Sequence, residues 1–290
     1  DITAIMQDRT GKTFVDPLIC INCGQCIRHC ENGAIIETTN SRTILEQVLR
    51  DPRKRAVALL SPAAAKTLAD SFSCRGPIPH GRIVHALRGI GFAAVWDIET
   101  GADTAVSTEA DNLIARITRG DTGTVFTSFC PAFDKYAGIS SLRKHATLSD
   151  TKTPLALTAA VARNECARKA DIPPADVITV AVMPCVAKKY ESLLPRNRSD
   201  GRPDTDIVLT VREFAHLLKE RGIDLSSSTG HDKDFRPEYM RKECTLFTKC
   251  NGVMDSILTA LARKLGEEKA PHLRLNEKNG RVRSAVITIK

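Results

Sequence analysis

The sequence lacks any apolar run close to the roughly 18 residues that a membrane-spanning helix requires, so no membrane span is predicted. Aromatic residues make up only 4% of the 290 residues, and the lysines and arginines are scattered without a nucleic-acid motif or aromatic platform. Nucleic-acid binding is therefore not expected, despite a net charge of +8. These absences leave a soluble protein of one large or two ordinary domains, long enough to bury a core without disulfides.

No secretory signal peptide is visible, and the sequence begins at Asp1 without a Met. Ten cysteines would suggest disulfides in a short secreted chain, but four of them form one tight cluster that suits metal better than pairing. A reducing compartment follows, and we expect a cytoplasmic location with the periplasm as the alternative. An acidic protein partner, such as a small electron carrier, is the expected use of the positive charge.

The strongest motif is an unbroken run of cysteines with the spacing C-x2-C-x2-C-x3-C. It comprises Cys20, Cys23, Cys26 and Cys30. Bacterial ferredoxins have this spacing, in which three thiolates bind one [4Fe-4S] cluster and the fourth normally ligates a second cluster. We predict a [4Fe-4S] cluster here, and because only one such run occurs, the ligand that completes it stays open. Zinc is the weaker alternative, since zinc sites favour paired C-x2-C hooks.

Apolar segments alternate with helical patterns after a polar stretch that ends in a linker at 51–55. Buried strands are predicted at 56–60, 92–96, 124–127 and 177–183, and helices at 82–89 and 154–169. This alternation favours an α/β fold in which the strands share one mainly parallel sheet flanked by helices. We therefore predict a small N-terminal module at 1–50 and a larger α/β domain at 56–290.

Two further cysteines follow predicted strands. Cys185 lies in Met183-Pro184-Cys185, after the apolar run 177–182, and Cys130 follows the strand at 124–127. Positions where parallel strands give way to loops are those at which ligands and catalytic groups usually lie in open α/β sheets. Two such strand ends indicate one shared site. For Cys185 alone, a small buried side chain would be the alternative.

Together these motifs resemble the iron-only, or [FeFe], hydrogenases over nearly the whole sequence and in the same order. Residues 183–191 match the family motif M-P-C-x-x-K-x-x-E, and 127–131 resemble T-S-C-C-P. Ser61-Pro62 resembles an active-site turn, and 247–254 resemble the segment F-G-x-T-G-G-V-M. The resemblance implies a small ferredoxin-like module followed by an iron-only-hydrogenase-like domain.

In that family four cysteines hold a [4Fe-4S] cubane, and one of them bridges to a diiron unit that forms and splits H2. Cys130 and Cys185 match the first two of these ligands. The other two belong to a C-terminal motif without a counterpart in this sequence, whose last cysteine is Cys250, so a diiron unit is not expected. Instead, Cys250 and Cys244 are expected to complete a second [4Fe-4S] cluster with Cys130 and Cys185, unless these two are unliganded thiols.

Other departures from the family concern proton transfer. Phe129 stands where the family has a proton-relaying cysteine, and Asn112 stands where it has a second glutamate of the proton route. Neither side chain acts as an acid or base at accessible pH. Glu109 matches the first carboxylate of that route, and Lys188 and Glu191 match residues beside the diiron unit. We assign no catalytic residue and expect these three to be remnants, with Lys188 and Glu191 forming an ion pair.

These matches and departures predict an iron-sulfur electron-transfer subunit of a hydrogenase-type oxidoreductase complex. The expected partners are other redox subunits, with an acidic carrier such as a ferredoxin as a further candidate. Whether the chain is itself an enzyme stays open. One alternative is half of a split hydrogenase whose remaining cysteines come from a partner chain. A second alternative is a redox-sensing or scaffold iron-sulfur protein.

Overall fold

The computed structural model describes residues 3–37, 40–127, 129–227 and 252–266, and the backbone of 276–278 and 282–284. Its helices are α1 (Gln25–Arg28), α2 (Asn40–Arg50), α3 (Pro62–Ser71), α4 (His80–Gly89), α5 (Ala102–Thr118), α6 (Pro131–Ile139), α7 (Pro154–Ala170), α8 (Ala187–Glu191), α9 (Val211–Glu220) and α10 (Gly252–Lys264). Its strands are β1 (Ile5–Gln7), β2 (Thr13–Val15), β3 (Arg55–Leu60), β4 (Ala94–Asp97), β5 (Thr124–Phe126), β6 (Ala146–Leu148), β7 (Val177–Met183), β8 (Arg198–Ser199), β9 (Arg202–Pro203), β10 (Ile207–Thr210), β11 (Asn276–Lys278) and β12 (Val282–Ser284).

A four-stranded parallel sheet with the order β10-β7-β3-β4 forms the centre of the chain. The strands β3 and β7 are almost entirely buried and apolar, which is the pattern of a parallel sheet covered on both faces. Ala58 and Leu60 point to a core shared with α2, α3, α4 and α9. Val57 and Leu59 point to the opposite core under α7. The predicted α/β fold, with a mainly parallel sheet flanked by helices, is confirmed.

Helix α2 packs on this sheet through Leu45, which is completely buried in the same core as α9. Full burial of a leucine side chain contributes about 1.5–3 kcal/mol to folding. The segment at 51–55 then leads directly into β3. A boundary between two domains at this segment stays a prediction.

Strand β5 forms where the sequence predicts a strand, but it lies in a different sheet from β7. It pairs in parallel with β6, with Phe126 opposite Leu148, as a separate two-stranded sheet. The prediction that all four strands share one sheet is therefore wrong. An apolar run indicates a buried strand but does not indicate which strand pairs with it. The partner, β6, has only three residues and is too short to show an alternating pattern.

The N-terminal module begins with a small antiparallel hairpin. Strands β1 and β2 pair with Ile5 opposite Val15, and Gly11 takes a positive φ of 80° in the turn between them. The cysteine run follows the hairpin and includes the short helix α1, and its last member, Cys30, lies beyond the end of that helix. In the part of the chain that the structure describes, none of the helices is both long enough and apolar enough to span a bilayer.

Candidate metal centre

Three of the N-terminal cysteines line one cavity. Cys20, Cys23 and Cys26 face a space of about 700 Å³ that the hairpin and α1 also border. Asn22 and Gly24, which lie between these cysteines, have positive φ angles of 58° and 73°. Turns of this kind direct backbone amides towards one point and form the anion-binding concavities found around iron-sulfur sites. The cavity thus has thiols and a backbone shape suited to an anionic cluster.

Cys30 has different surroundings from the other three. Cys30 is not one of the described residues that border this cavity. The backbone amides of residues 32–35, that of Ile35 foremost, lower the pKa of its thiol, while desolvation opposes them. The amides therefore make it easier for Cys30 to form the thiolate, the form of cysteine that binds metals.

The donor set fits a [4Fe-4S] cluster. The amide of Asn22 donates to Cys20 Sγ at 3.4 Å, and hydrogen bonds to cluster sulfurs are a principal means of tuning such sites. No three His, Cys, Asp or Glu side chains of the described residues are grouped around a single ion. In a cubane each thiolate binds a separate iron, so its ligands need not be grouped around a single ion. The absence of such a group therefore does not bear on a [4Fe-4S] cluster. The assignment of individual ligands stays a prediction.

The second candidate site lies at the carboxyl ends of the two central strands. Strand β3 ends at Leu60 and β7 ends at Met183, and Ser61 N donates to Val182 O at 3.3 Å. After β3 the chain adds β4 on one side and β7 on the other. These strand ends therefore border the switch-point crevice where open α/β sheets bind ligands. The prediction that Cys185 follows a buried strand is confirmed.

Cys130 lies on another element, as the N-cap residue of α6. Lys188 Nζ donates to Phe129 O at 3.1 Å. This bond joins the residue before Cys130 to α8, which begins just after Cys185. The structure thus brings the two cysteine-bearing segments together as predicted, although joint binding of a cluster stays a prediction. Cys244, Cys250 and residues 247–251 lie outside the described residues.

Lys188 and Glu191 form the predicted ion pair. The Glu191 side chain is 2% exposed and also accepts a hydrogen bond from Thr153 Oγ1 at 2.6 Å. Asn197 Nδ2 donates to the Glu191 carbonyl oxygen at 3.0 Å. A buried carboxylate without a partner is strongly destabilising. Both charges are compensated here, so the pair has a structural role in this arrangement.

Glu109 is buried on α5 and accepts hydrogen bonds from two hydroxyl groups. Ser149 Oγ donates to Glu109 Oε2 at 2.5 Å, and Thr151 Oγ1 donates to the same oxygen. Asn112 Nδ2 donates to Thr151 Oγ1 at 3.1 Å. A hydroxyl has one proton, so Thr151 accepts from Asn112 and gives its proton to Glu109. Sequence reasoning missed Ser149 and Thr151, because polar residues between a strand and a helix carry no distinctive pattern.

Asp97 is a second buried carboxylate that the sequence analysis missed. It ends β4 directly beside Leu60 of β3 and is 5% exposed. Burial raises the pKa of Asp97 to about 7, the hydrogen bond from Glu99 N opposes this, and the negative charge of Glu99 adds to it. The only signal in the sequence is its place at a strand end, which many structural aspartates share.

The loops that carry the two candidate sites are in contact through Gly24 and Val186. A Cβ built on Gly24 would lie 2.5 Å from Val186 Cγ1. Gly24 lies between Cys23 and Cys26, and Val186 follows Cys185. The loop that carries the first set of thiols therefore rests on the loop that carries the second. Glycine is also favoured here by its positive φ.

The chain matches two described families and several relatives. The family "Iron only hydrogenase large subunit, C-terminal domain" matches residues 54–290, and "4Fe-4S binding domain" matches 13–36. The periplasmic [Fe] hydrogenase large subunit of Nitratidesulfovibrio vulgaris is 35% identical over 285 residues, covering 87% of this chain and 68% of that protein. The cytosolic Fe-S cluster assembly factor NAR1 of Debaryomyces hansenii is 24% identical over 237 residues, covering 80% of this chain and 44% of that protein.

A similar solved structure is the apo [FeFe]-hydrogenase HydA1 from Chlamydomonas reinhardtii. It has a TM-score of 0.67 and 26% identity, covering 81% of this chain and 62% of that chain. The match at 13–36 includes the whole cysteine run and supports a [4Fe-4S] cluster there, whereas the expected lack of a diiron unit stays a prediction. The family model matches residues 54–290, which is most of the chain. The chain therefore belongs to the iron-only hydrogenase large-subunit family.

Proposed function

We propose that this hydrogenase-like iron-sulfur protein carries electrons between a cluster in its N-terminal module and a site beside Cys185. The contact of Gly24 with Val186 is the observation that supports this most directly. Electron tunnelling weakens steeply with distance, so two redox sites on touching loops are well placed to exchange electrons. A bound [4Fe-4S] cluster supplies one-electron chemistry.

The residues of the N-terminal module would bind and orient that cluster. Cys20, Cys23 and Cys26 supply thiolates from one cavity wall. The amide of Asn22 donates to Cys20 Sγ and stabilises negative charge on that sulfur. Cys30, whose thiol pKa the backbone amides lower, is available to a cluster that is shared with other cysteines.

At the second site, Cys130 and Cys185 would hold a [4Fe-4S] cluster together with Cys250 and Cys244. The neighbouring charges do not support autonomous H2 chemistry. Lys188 is engaged by Glu191 and by Phe129 O. Phe129 and the Asn112 amide have no exchangeable acid or base at the positions where the family relays protons. A protein that only carries electrons needs neither a free lysine at position 188 nor a proton relay at positions 112 and 129.

The proposed setting is a hydrogenase-type redox complex. Other redox subunits would be its partners, and an acidic carrier such as a ferredoxin would complement the net charge of +8. One relative is named as periplasmic and another as cytosolic. We place this chain in the cytoplasm, where thiols stay reduced.

Spectroscopy of the dithionite-reduced protein tests the proposal. We expect electron paramagnetic resonance signals of reduced [4Fe-4S] clusters, about four iron and four sulfide per cluster, and no infrared bands of bound CO or CN. Such bands would show a diiron unit and overturn the proposal. Hydrogen uptake that appears only when a partner supplies two further cysteines would instead establish the split-hydrogenase alternative.

The similarity to NAR1, a protein named as an Fe-S cluster assembly factor, favours a second candidate function. In that function the chain would hold clusters as a scaffold and pass them to other proteins. The two functions differ in the fate of the cluster. A carrier keeps its iron through repeated reduction and oxidation, whereas a scaffold transfers ⁵⁵Fe-labelled cluster to an apo-ferredoxin. Iron retention with reversible redox cycling is the result that we expect.

A further inference from the structure

Lys135 contacts the segments that carry both candidate sites. Its Nζ donates to Pro17 O at 2.9 Å and lies 5.2 Å from the centroid of the Tyr190 ring. Pro17 precedes Cys20, and Tyr190 belongs to α8, which follows Cys185. Lys135 itself lies in α6, whose N-cap is Cys130. One cation therefore joins three segments, each of which carries a candidate cysteine.

The bond to Pro17 is transmitted to Cys20 by a closed turn. Cys20 N donates to Asp16 O at 2.9 Å, and Leu18 N donates to Asp16 Oδ1 at 2.8 Å. Proline fixes φ at its own position, which stiffens the turn further. A displacement of the Pro17 carbonyl would therefore move the Cys20 thiol.

The charge of Lys135 is not matched by its contact partners, since a carbonyl oxygen and an aromatic ring are both neutral. The neighbouring carboxylate, Asp134, is paired with Arg196. Lys135 thus presents its positive charge beside the turn that holds Cys20. Reduction adds a negative charge to an iron-sulfur cluster, and the net charge around a cluster is one determinant of its potential. A nearby cation stabilises the reduced form.

We propose that Lys135 is a positioning residue for electron transfer. It holds the Cys20 end of the N-terminal module against α6 and α8, and its charge raises the reduction potential of the cluster bound there. The effect on potential rests on the proposed function, because it requires a cluster at Cys20. The docking of the module does not.

The test compares Lys135→Met with Lys135→Arg, which retains the charge, and with Tyr190→Leu, which removes only the ring. Lys144→Met is the matched control, because Lys144 is an exposed lysine in the turn Ser141–Lys144 just beyond α6. Hydrogen exchange over residues 17–30 reports docking, and a redox titration followed by paramagnetic resonance reports potential. For Lys135→Met we expect about tenfold faster exchange and a reduced-to-oxidised ratio lower by about tenfold, equivalent to ~59 mV for one electron.

Lys135→Arg should resemble the wild type in both measurements, and Tyr190→Leu should alter exchange more than potential. The proposal would be overturned if Lys135→Met had the hydrogen-exchange rate and the reduction potential of the wild type. It would also be overturned if Lys144→Met changed both quantities as much as Lys135→Met does. If Lys135→Met does not fold, wild-type exchange in Tyr190→Leu gives the same negative answer for docking. A wild-type protein without a reducible cluster would refute the proposed function, while the exchange measurement would still decide whether Lys135 docks the module.

Discussion

Gly24 lies so close to Val186 that a single added methyl group at Gly24 would come within 2.5 Å of Val186 Cγ1. The pair joins the cysteine loop of the N-terminal module to the loop after β7. Real Cβ atoms are not found at such a separation, so either the Val186 side chain would have to rotate or one of the two loops would have to move. The contact thus leaves no room for a larger side chain at position 24 while Val186 and the two loops keep their present positions.

Gly24→Ala is therefore expected to loosen the N-terminal module. Gly11→Ala is the matched control, since Gly11 has a similar positive φ of 80° but nothing within 4 Å of its added Cβ. Both substitutions carry the backbone cost of about 1–2 kcal/mol for a left-handed residue, but only Gly24→Ala adds the clash. Loss of cluster absorbance in urea should be faster in Gly24→Ala than in the control. Val186→Ala should restore part of the difference, and equal behaviour of the two alanine variants would show that the contact is unimportant.

Lys188→Met is expected to destabilise the fold strongly, because it leaves the buried Glu191 carboxylate without its cation. Breaking one partner of a buried pair costs about 3–5 kcal/mol, which urea unfolding would measure. Arg168→Met is the control, because the Arg168–Glu165 pair is exposed and exposed pairs contribute little to stability. The double variant Lys188→Met with Glu191→Gln should recover stability. Similar losses in Lys188→Met and Arg168→Met would contradict the structural role of the pair.

Asp97 is expected to make stability depend on pH in a definite direction. Its pKa is raised from 3.8 to about 7 in the folded chain, so the folded state binds the proton more tightly than the unfolded state. The stability that protonation contributes is complete below the unfolded pKa and is lost as pH rises towards about 7. The difference in unfolding free energy between the wild type and Asp97→Asn, measured across this range, isolates the effect. A difference that stays constant with pH would contradict the raised pKa.

Cys185→Ser is expected to remove the cluster signal of the second site. The protein should lose about four iron per chain and retain the signal of the N-terminal module. Cys166→Ser serves as control, because Cys166 packs beside the core under α7, and burial raises the pKa of its thiol. Unchanged iron content in Cys185→Ser would refute a cluster at that site.

The sequence predicts best the features whose signal is local. The cysteine spacing, the apolar run of β7 and the position of Cys185 after it are all visible in short windows. The partner of β5 and the bond from Lys135 to Pro17 depend on contacts across many residues, which no periodicity encodes. Asp97 and Thr151 escape notice for a related reason, since burial rather than residue type gives them their properties.

The hydrogen bonds that link Asn112 to Glu109 run in one direction only, from Asn112 through Thr151 to Glu109. A proton wire must be able to turn each of its links around after a proton has passed, and an amide nitrogen cannot accept one. Under the proposed function, electrons that reach the crevice beside Cys185 would therefore not be followed by protons along this path. If a cluster is bound beside Cys185 as proposed, its midpoint potential is expected not to change with pH through this path.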